Sequence, residues 1–195
     1  PGYSLRWSGQ YEFQERAQKR LMLVVPATLF LVFLLLYFNT KSLVEAGIVL
    51  LAVPFSLIGA FWLLWILDYN LSVAVWVGLL ALAGIDAETG VIMLLYQTLA
   101  HERWKAEGRM RTLEDLKGAI LEGAVQRVRP KVMTVATLLF GLLPIMWGTG
   151  AGSDVMKRIA APMIGGIITS EILEFMVYPV IFMLWKRKTV EEKEA

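Results

Sequence analysis

The sequence predicts an all-α integral membrane protein: five transmembrane helices, with a cytoplasmic amphipathic helix between the third and the fourth. Three observations lead there. Long runs carry no charge at all, namely Leu21 to Thr40, Ala46 to Leu67, Tyr69 to Ile85 and Val132 to Ser153. A span of the hydrocarbon core takes about 20 apolar residues, so each run is close to the required length. The chain as a whole is 57% hydrophobic and only 18% charged, against roughly 25% charged in ordinary soluble domains. A buried helix of a soluble protein would account for one such run, but four in 195 residues argue for lipid.

Residues 1–20 are polar and aromatic (PGYSLRWSGQYEFQERAQKR) and read as the end of a soluble domain leading into a helix. Helices one to three fill residues 21–100: Leu21 to Phe38, Ala46 to Leu67 and Leu71 to Leu99, joined by the short polar turns Asn39 to Glu45 and Asp68-Tyr69-Asn70. Residues 101–129 form a charged loop. Thr112 and Asp115 approximate a capping box there, and Leu113, Leu116, Ile120, Ala124 and Val128 follow at three- and four-residue steps. That stripe predicts an amphipathic helix on the membrane surface or under the bundle. Residues 130–186 hold helices four and five, Pro130 to Trp147 and Val155 to Trp185, separated by the flexible turn GTGAGS. Pro130 suits a first helical turn. Residues 187–195 are a cytoplasmic tail.

The composition excludes several function classes. There is no cysteine, hence no disulfide framework and no thiolate metal site. The single histidine, His101, falls in the charged loop, so neither a histidine zinc site nor a Ser-His-Asp triad is expected. No nucleophile and base pair is visible, and the expectation is no enzyme, no cofactor and no nucleic-acid partner. The chain opens on Pro1 with no signal-peptide pattern before the first apolar run.

Orientation follows from Lys and Arg. One side of the membrane holds six: Arg6, Arg16, Lys19, Arg20, Lys157 and Arg158. The other holds twelve, most of them in the 101–129 loop and at the C-terminus. The N-terminus is therefore expected outside and the C-terminus in the cytoplasm. An outside N-terminal segment without its own signal implies membrane helices upstream. Trp62, Trp65, Trp76 and Trp147 fall near the outer helix ends and Trp104 and Trp185 near the inner ones, as in aromatic belts.

Charges inside the spans carry the functional signal, because an ionisable group in a membrane is costly and usually marks an ion or proton path. Glu88 lies well inside helix three. Ala81 and Gly84 share its face, and such small residues let a neighbouring helix approach. A buried carboxyl that gains and loses a cationic partner can load and release a proton. Asp86 is two residues away, roughly 200° around the helix, and cannot share that face. It lines a second wet surface or bonds to a neighbour's backbone; spacing leaves both open. Lys131 at the start of helix four would snorkel to the headgroups on position alone, while Thr134 and Thr137 continue its polar side inward. Glu171 and Glu174 share one face of helix five, to pair with a helix from elsewhere or to line a cavity. Of nine methionines, most read as packing or lipid-facing residues. Met156 stands apart at the outer mouth, beside the glycine turn, where a thioether suits a soft ion such as Cu(I).

Three stretches resemble a known family: GLLALAGIDAETGVIMLLY (78–96), RVRPKVMTVATLLFGLLPIMWGTGAGSDVMKRIAAPMIGGIITS (127–170) and SGQYEFQERA (8–17). They are similar to the heavy-metal branch of the resistance–nodulation–division (RND) efflux pumps, the CusA/CzcA family, and within it to the copper and silver exporters of the CusA/SilA type. The resemblance covers essentially the whole chain. It implies the last five of twelve transmembrane helices, preceded by the end of the periplasmic porter domain in residues 1–20. It also implies a proton-driven antiporter in the bacterial inner membrane, acting as a homotrimer with a periplasmic adaptor and an outer-membrane channel. The cargo would be Cu(I) or Ag(I). In the family's proton relay, an acid in the N-terminal half works with a Glu and a Lys whose positions here are Glu88 and Lys131. Met156 is similar to a methionine on the family's thioether path. Asp86 departs from the pattern, which often has Ala there, and Glu171 and Glu174 stand where uncharged residues are typical. An RND-like lipid or protein exporter and a non-transporting membrane scaffold are the alternatives.

Overall fold

Lipid offers no hydrogen-bonding partner to the backbone, so long apolar runs must satisfy their peptide groups internally as helices. The structure, a computed structural model, describes residues 10–110 and 112–194, and among these there is no strand. The helices are α1 (Gln10–Thr40), α2 (Leu43–Leu50), α3 (Ala52–Ile66), α4 (Val73–Ala106), α5 (Leu113–Trp147) and α6 (Ser153–Glu194). α2 and α3 make a single span divided at Leu51, just before Pro54, which has no N–H to offer the Leu50 carbonyl. Five spans are thus long and apolar enough to cross a membrane, as the sequence predicts.

The connection between the third and fourth spans differs from expectation. His101–Ala106 completes α4, and the amphipathic stretch is the first half of α5 and not a separate surface helix. His101 is accordingly a buried helical residue, its ring edge-on to Phe182. The physical reason lies in the caps. Thr112 starts α5 with a complete capping box, its hydroxyl accepting from Asp115 N–H while the Asp115 carboxylate accepts from Thr112 N–H at 2.9 Å. Nothing after it stops the helix. Pro130 sits in the interior of α5, not in its first turn, and removes only one backbone bond. Leu116, Ile120 and Ala124 bury the predicted stripe. The short turn is pinned by Trp104, whose indole N–H donates to Glu122 at 2.7 Å, and by the Arg103–Glu122 ion pair. At the N-terminus, residues 1–9 of the expected porter-domain end lie outside the described residues, and the rest of it opens α1.

α6 is the hub, packing against α3, α4 and α5, whereas α1 touches α2 and α4 and leaves most of its apolar surface outward. The α3–α6 crossing is close enough to need glycine on both sides. A Cβ on Gly59 would run into the Gly165 carbonyl oxygen, and one on Gly165 into that of Gly59. Small residues of this kind let membrane helices gain dispersion contacts that lipid cannot supply.

Two apolar clusters result. One gathers Ala60, Leu64, Val75, Leu79, Leu82 and Ile167. The other gathers Val49, Ala52, Met93, Leu94, Leu173 and Tyr178. Along α3, α4 and α6 the chain passes from one cluster to the other through Ser56, Asp86 and Ser170, all of them buried. A polar layer therefore separates two apolar halves of the interior.

Candidate functional site

That layer is built from four helices. α3 contributes Ser56, α4 Asp86 and Thr89, α5 Lys131, and α6 Ser170, Glu171 and Glu174. Lys131 is its centre. The side chain is only 2% exposed, so it does not snorkel, and it forms ion pairs with Glu174 and, at 3.4 Å, with Glu171. Glu174 is wholly enclosed, while Glu171 keeps 14% of its side chain exposed at the edge. The i, i+3 spacing on α6 is what lets both acids reach one ammonium. Thr89 Oγ1 stands 2.9 Å from Glu174 Oε1, in position to donate to it. The Phe175 ring lies 5.2 Å from Lys131 Nζ, on the favourable face for a cation. Tyr178, one turn further along α6, donates to the Val49 carbonyl at 3.1 Å and closes the layer from below.

Asp86 is completely buried, and neither carboxyl oxygen has a hydrogen-bond partner. The Ser56 and Ser170 hydroxyls stand beside it. Each, however, donates to a carbonyl of its own helix, Ser56 to Val53 at 2.9 Å and Ser170 to Ile167 at 3.1 Å. Neither reaches hydrogen-bond geometry with the carboxyl. Among the described residues, no group of three or more Asp, Glu, His or Cys could hold a metal ion.

Other residues singled out by sequence fall elsewhere. Glu88 is exposed, on the far side of α4 from Asp86, as the 200° separation requires. Lys131 is therefore paired with Glu174 and Glu171 and not with Glu88. Gly84, one turn before Glu88, has open space where a Cβ would stand and lines a cavity of about 90 Å³ with Leu29, Val32 and Val53. Thr134 is exposed and donates to the Pro130 carbonyl of its own helix at 3.1 Å. Met156 is 57% exposed. It lines an open pocket of about 330 Å³ with Ile145, Ser153 and the glycine turn 148–152, where no second sulfur or imidazole joins it. Sequence reasoning missed Ser56, Thr89 and Ser170. A hydroxyl in mid-span was the available signal, but a serine or threonine can also satisfy itself on its own helix, and the sequence does not distinguish the two uses.

A bundle of membrane-spanning helices with a lysine and two carboxyls enclosed at its centre, and a third carboxyl at the edge, defines the class as a polytopic membrane protein with an ionisable interior. The chain belongs to the AcrB/AcrD/AcrF family, whose family model matches residues 1–186. It is 50% identical over 186 residues to the cation efflux system protein CusA of Escherichia coli (strain K12), a match covering 94% of this chain and 18% of CusA. It is 48% identical over 191 residues to the putative cation efflux system protein SilA of Salmonella typhimurium, covering 96% of this chain and 18% of SilA. The cobalt-zinc-cadmium resistance protein CzcA of Cupriavidus metallidurans is more distant, at 34% over 194 residues, all of this chain and 17% of CzcA. Among solved structures, the crystal structure of a heavy metal efflux pump (crystal form II) superposes with a TM-score of 0.79 at 32% identity, over 93% of this chain and 17% of the pump. The chain thus spans less than a fifth of the length of the relatives it matches.

Proposed function

We propose that this chain is the C-terminal membrane part of a proton-driven efflux pump for Cu(I) and Ag(I). The single observation that carries the cargo class is the gradient of identity, from 50% with CusA and 48% with SilA down to 34% with the cobalt-zinc-cadmium protein. A soft monovalent ion suits the thioether of Met156 at the outer mouth. The proton reading rests on ionisable groups in the membrane interior, which cost too much to keep without use. Glu88 is the proton carrier and Lys131 the cation whose approach and withdrawal change its charge state. The pairing of Lys131 with Glu171 and Glu174 is then one position of that cation, and a partner on the Glu88 side belongs to the other. The working pump is a homotrimer in the bacterial inner membrane, joined to a periplasmic adaptor and an outer-membrane channel, with this chain's N-terminus periplasmic and its C-terminus cytoplasmic. Expression of the whole pump in a copper- and silver-sensitive host tests this reading. Glu88→Gln and Lys131→Ala are each expected to abolish resistance at normal expression. Near-wild-type resistance in both variants would remove the relay assignment, and resistance to zinc or cobalt alone would remove the cargo.

A further inference from the structure

We infer that Asp86 is a second proton-binding site, separate from Glu88, built with the hydroxyls of Ser56 and Ser170 beside the Lys131–Glu174 pair. Charge balance comes first. The layer holds three carboxyls, Asp86 and Glu174 enclosed and Glu171 at its edge, and one cation, Lys131. Lys131 is already committed to the two glutamates, and Glu171 reaches the edge of the layer, where some of its charge can be solvated. Asp86 is completely buried and has no cation of its own, and an ionised carboxylate so placed is strongly disfavoured.

The neighbouring hydroxyls decide what neutralises it. Ser56 and Ser170 have spent their protons on the Val53 and Ile167 carbonyls. What they present to Asp86 is therefore lone pairs, and a carboxylate facing lone pairs has no hydrogen bond to make. A protonated Asp86 has one O–H, and the two serine oxygens beside it are the acceptors it reaches once a side-chain rotation closes the gap that leaves its carboxyl unpartnered here. A metal ion is the poorer occupant, since the Lys131 ammonium already supplies positive charge to the layer and no metal-ligand set of carboxylates forms there. The charged or titratable groups facing Asp86 are Lys131 from α5 and Glu171, Glu174 and Tyr178 from α6; the α3 side offers only Ser56.

The proton also sets the partner of Lys131. A bare Asp86 carboxylate would be a third claimant for the ammonium, whereas a neutral one leaves it with Glu174 and Glu171. Proton binding at Asp86 thus holds Lys131 in the arrangement seen here, and proton loss pulls it deeper into the layer. The use of this device in a transport cycle rests on the pump reading above; occupancy of Asp86 by a proton does not.

Infrared difference spectroscopy of the whole pump in lipid tests it, with the carboxyl carbons of aspartate labelled by 13C. At neutral pH, a carbonyl-stretch band of a protonated aspartic acid is expected, shifted by the label. Asp86→Asn should lose that band, Glu88→Gln should keep it, and Ser56→Ala combined with Ser170→Ala should shift it without loss, by removing both acceptors. Should Asp86→Asn fail to assemble, the labelled wild type and the double serine variant carry the test alone. Absence of the band at neutral pH, its survival in Asp86→Asn, or its indifference to the double serine change would overturn the proposal. Loss of the band when sodium chloride replaces choline chloride would also overturn it, by making Asp86 a sodium ligand. None of these readings depends on metal resistance, so a failed cargo assignment leaves them standing.

Discussion

Lys131 shows how one side chain can organise a membrane interior. Its ammonium is enclosed with Glu174, and breaking such a pair by removing one partner leaves an uncompensated charge that costs about 3–5 kcal/mol. Glu174→Gln is therefore expected to lower the thermal stability of the detergent-solubilised protein clearly. Glu171→Gln should do so less, because Glu171 lies 3.4 Å from the ammonium and is partly exposed. Equal effects of the two would contradict this ranking. Replacing all three members, Lys131→Met with Glu171→Met and Glu174→Met, should recover stability without recovering transport, since an apolar set of similar volume is often neutral or stabilising. Met156 poses the opposite kind of question, chemistry without burial. Met156→Leu keeps size and apolarity and should spare folding and assembly. In the whole pump it is expected to lower Cu(I) and Ag(I) resistance, and unchanged resistance would return Met156 to a packing role.

Between residues and fold stand the helices, held by caps and close crossings. Thr112→Ala removes the hydroxyl that accepts from Asp115 N–H and should cost about 1 kcal/mol, read as increased proteolysis at the 107–112 turn. Gly165→Leu is a far larger insult. Its side chain would meet the Gly59 carbonyl of α3, a backbone group that cannot step aside, and over-filling a packed interior typically costs about 1–3 kcal/mol or more. Loss of assembled protein on a size-exclusion column is the expected result. Gly84 provides the contrast. Its added Cβ meets nothing within 4 Å and would enter a cavity of about 90 Å³ beside Leu29, Val32 and Val53, so Gly84→Ala should be silent for residues 1–195. An unchanged size-exclusion profile is the expected result.

At the scale of the molecule, the proposed transport calls for more than these helices. Residues 1–195 match 18% of CusA, and vesicles containing them alone are expected to show no proton-driven uptake of Cu(I) or Ag(I); uptake would refute the need for the remainder. Orientation can be tested cleanly because the chain has no cysteine. A cysteine at Lys117 should react with an impermeant thiol reagent only from the cytoplasmic side, and one at Asp68 only from the periplasmic side. The reverse pattern would invert the Lys and Arg assignment.

Five spans, the Thr112 capping box and the presence of ionisable groups in the membrane were legible in the sequence, because each is local. Apolar length, side chain–backbone reach and charge in an apolar run need no partner to be recognised. Continuity of α5 through Pro130 was not legible, since a proline permits both a start and an interior position and only packing decides between them. Nor was the grouping of the acids. Helical spacing by itself separates Asp86 from Glu88 and joins Glu171 to Glu174. Which face turns inward depends on where α3, α5 and α6 lie. The glycine crossing brings α6 against α3, places Ser56 and Ser170 beside Asp86, and delivers Glu174 to Lys131. Side chains from four helices meet there across separations of tens of residues, and no local pattern encodes that meeting; it exists only once the helices have packed.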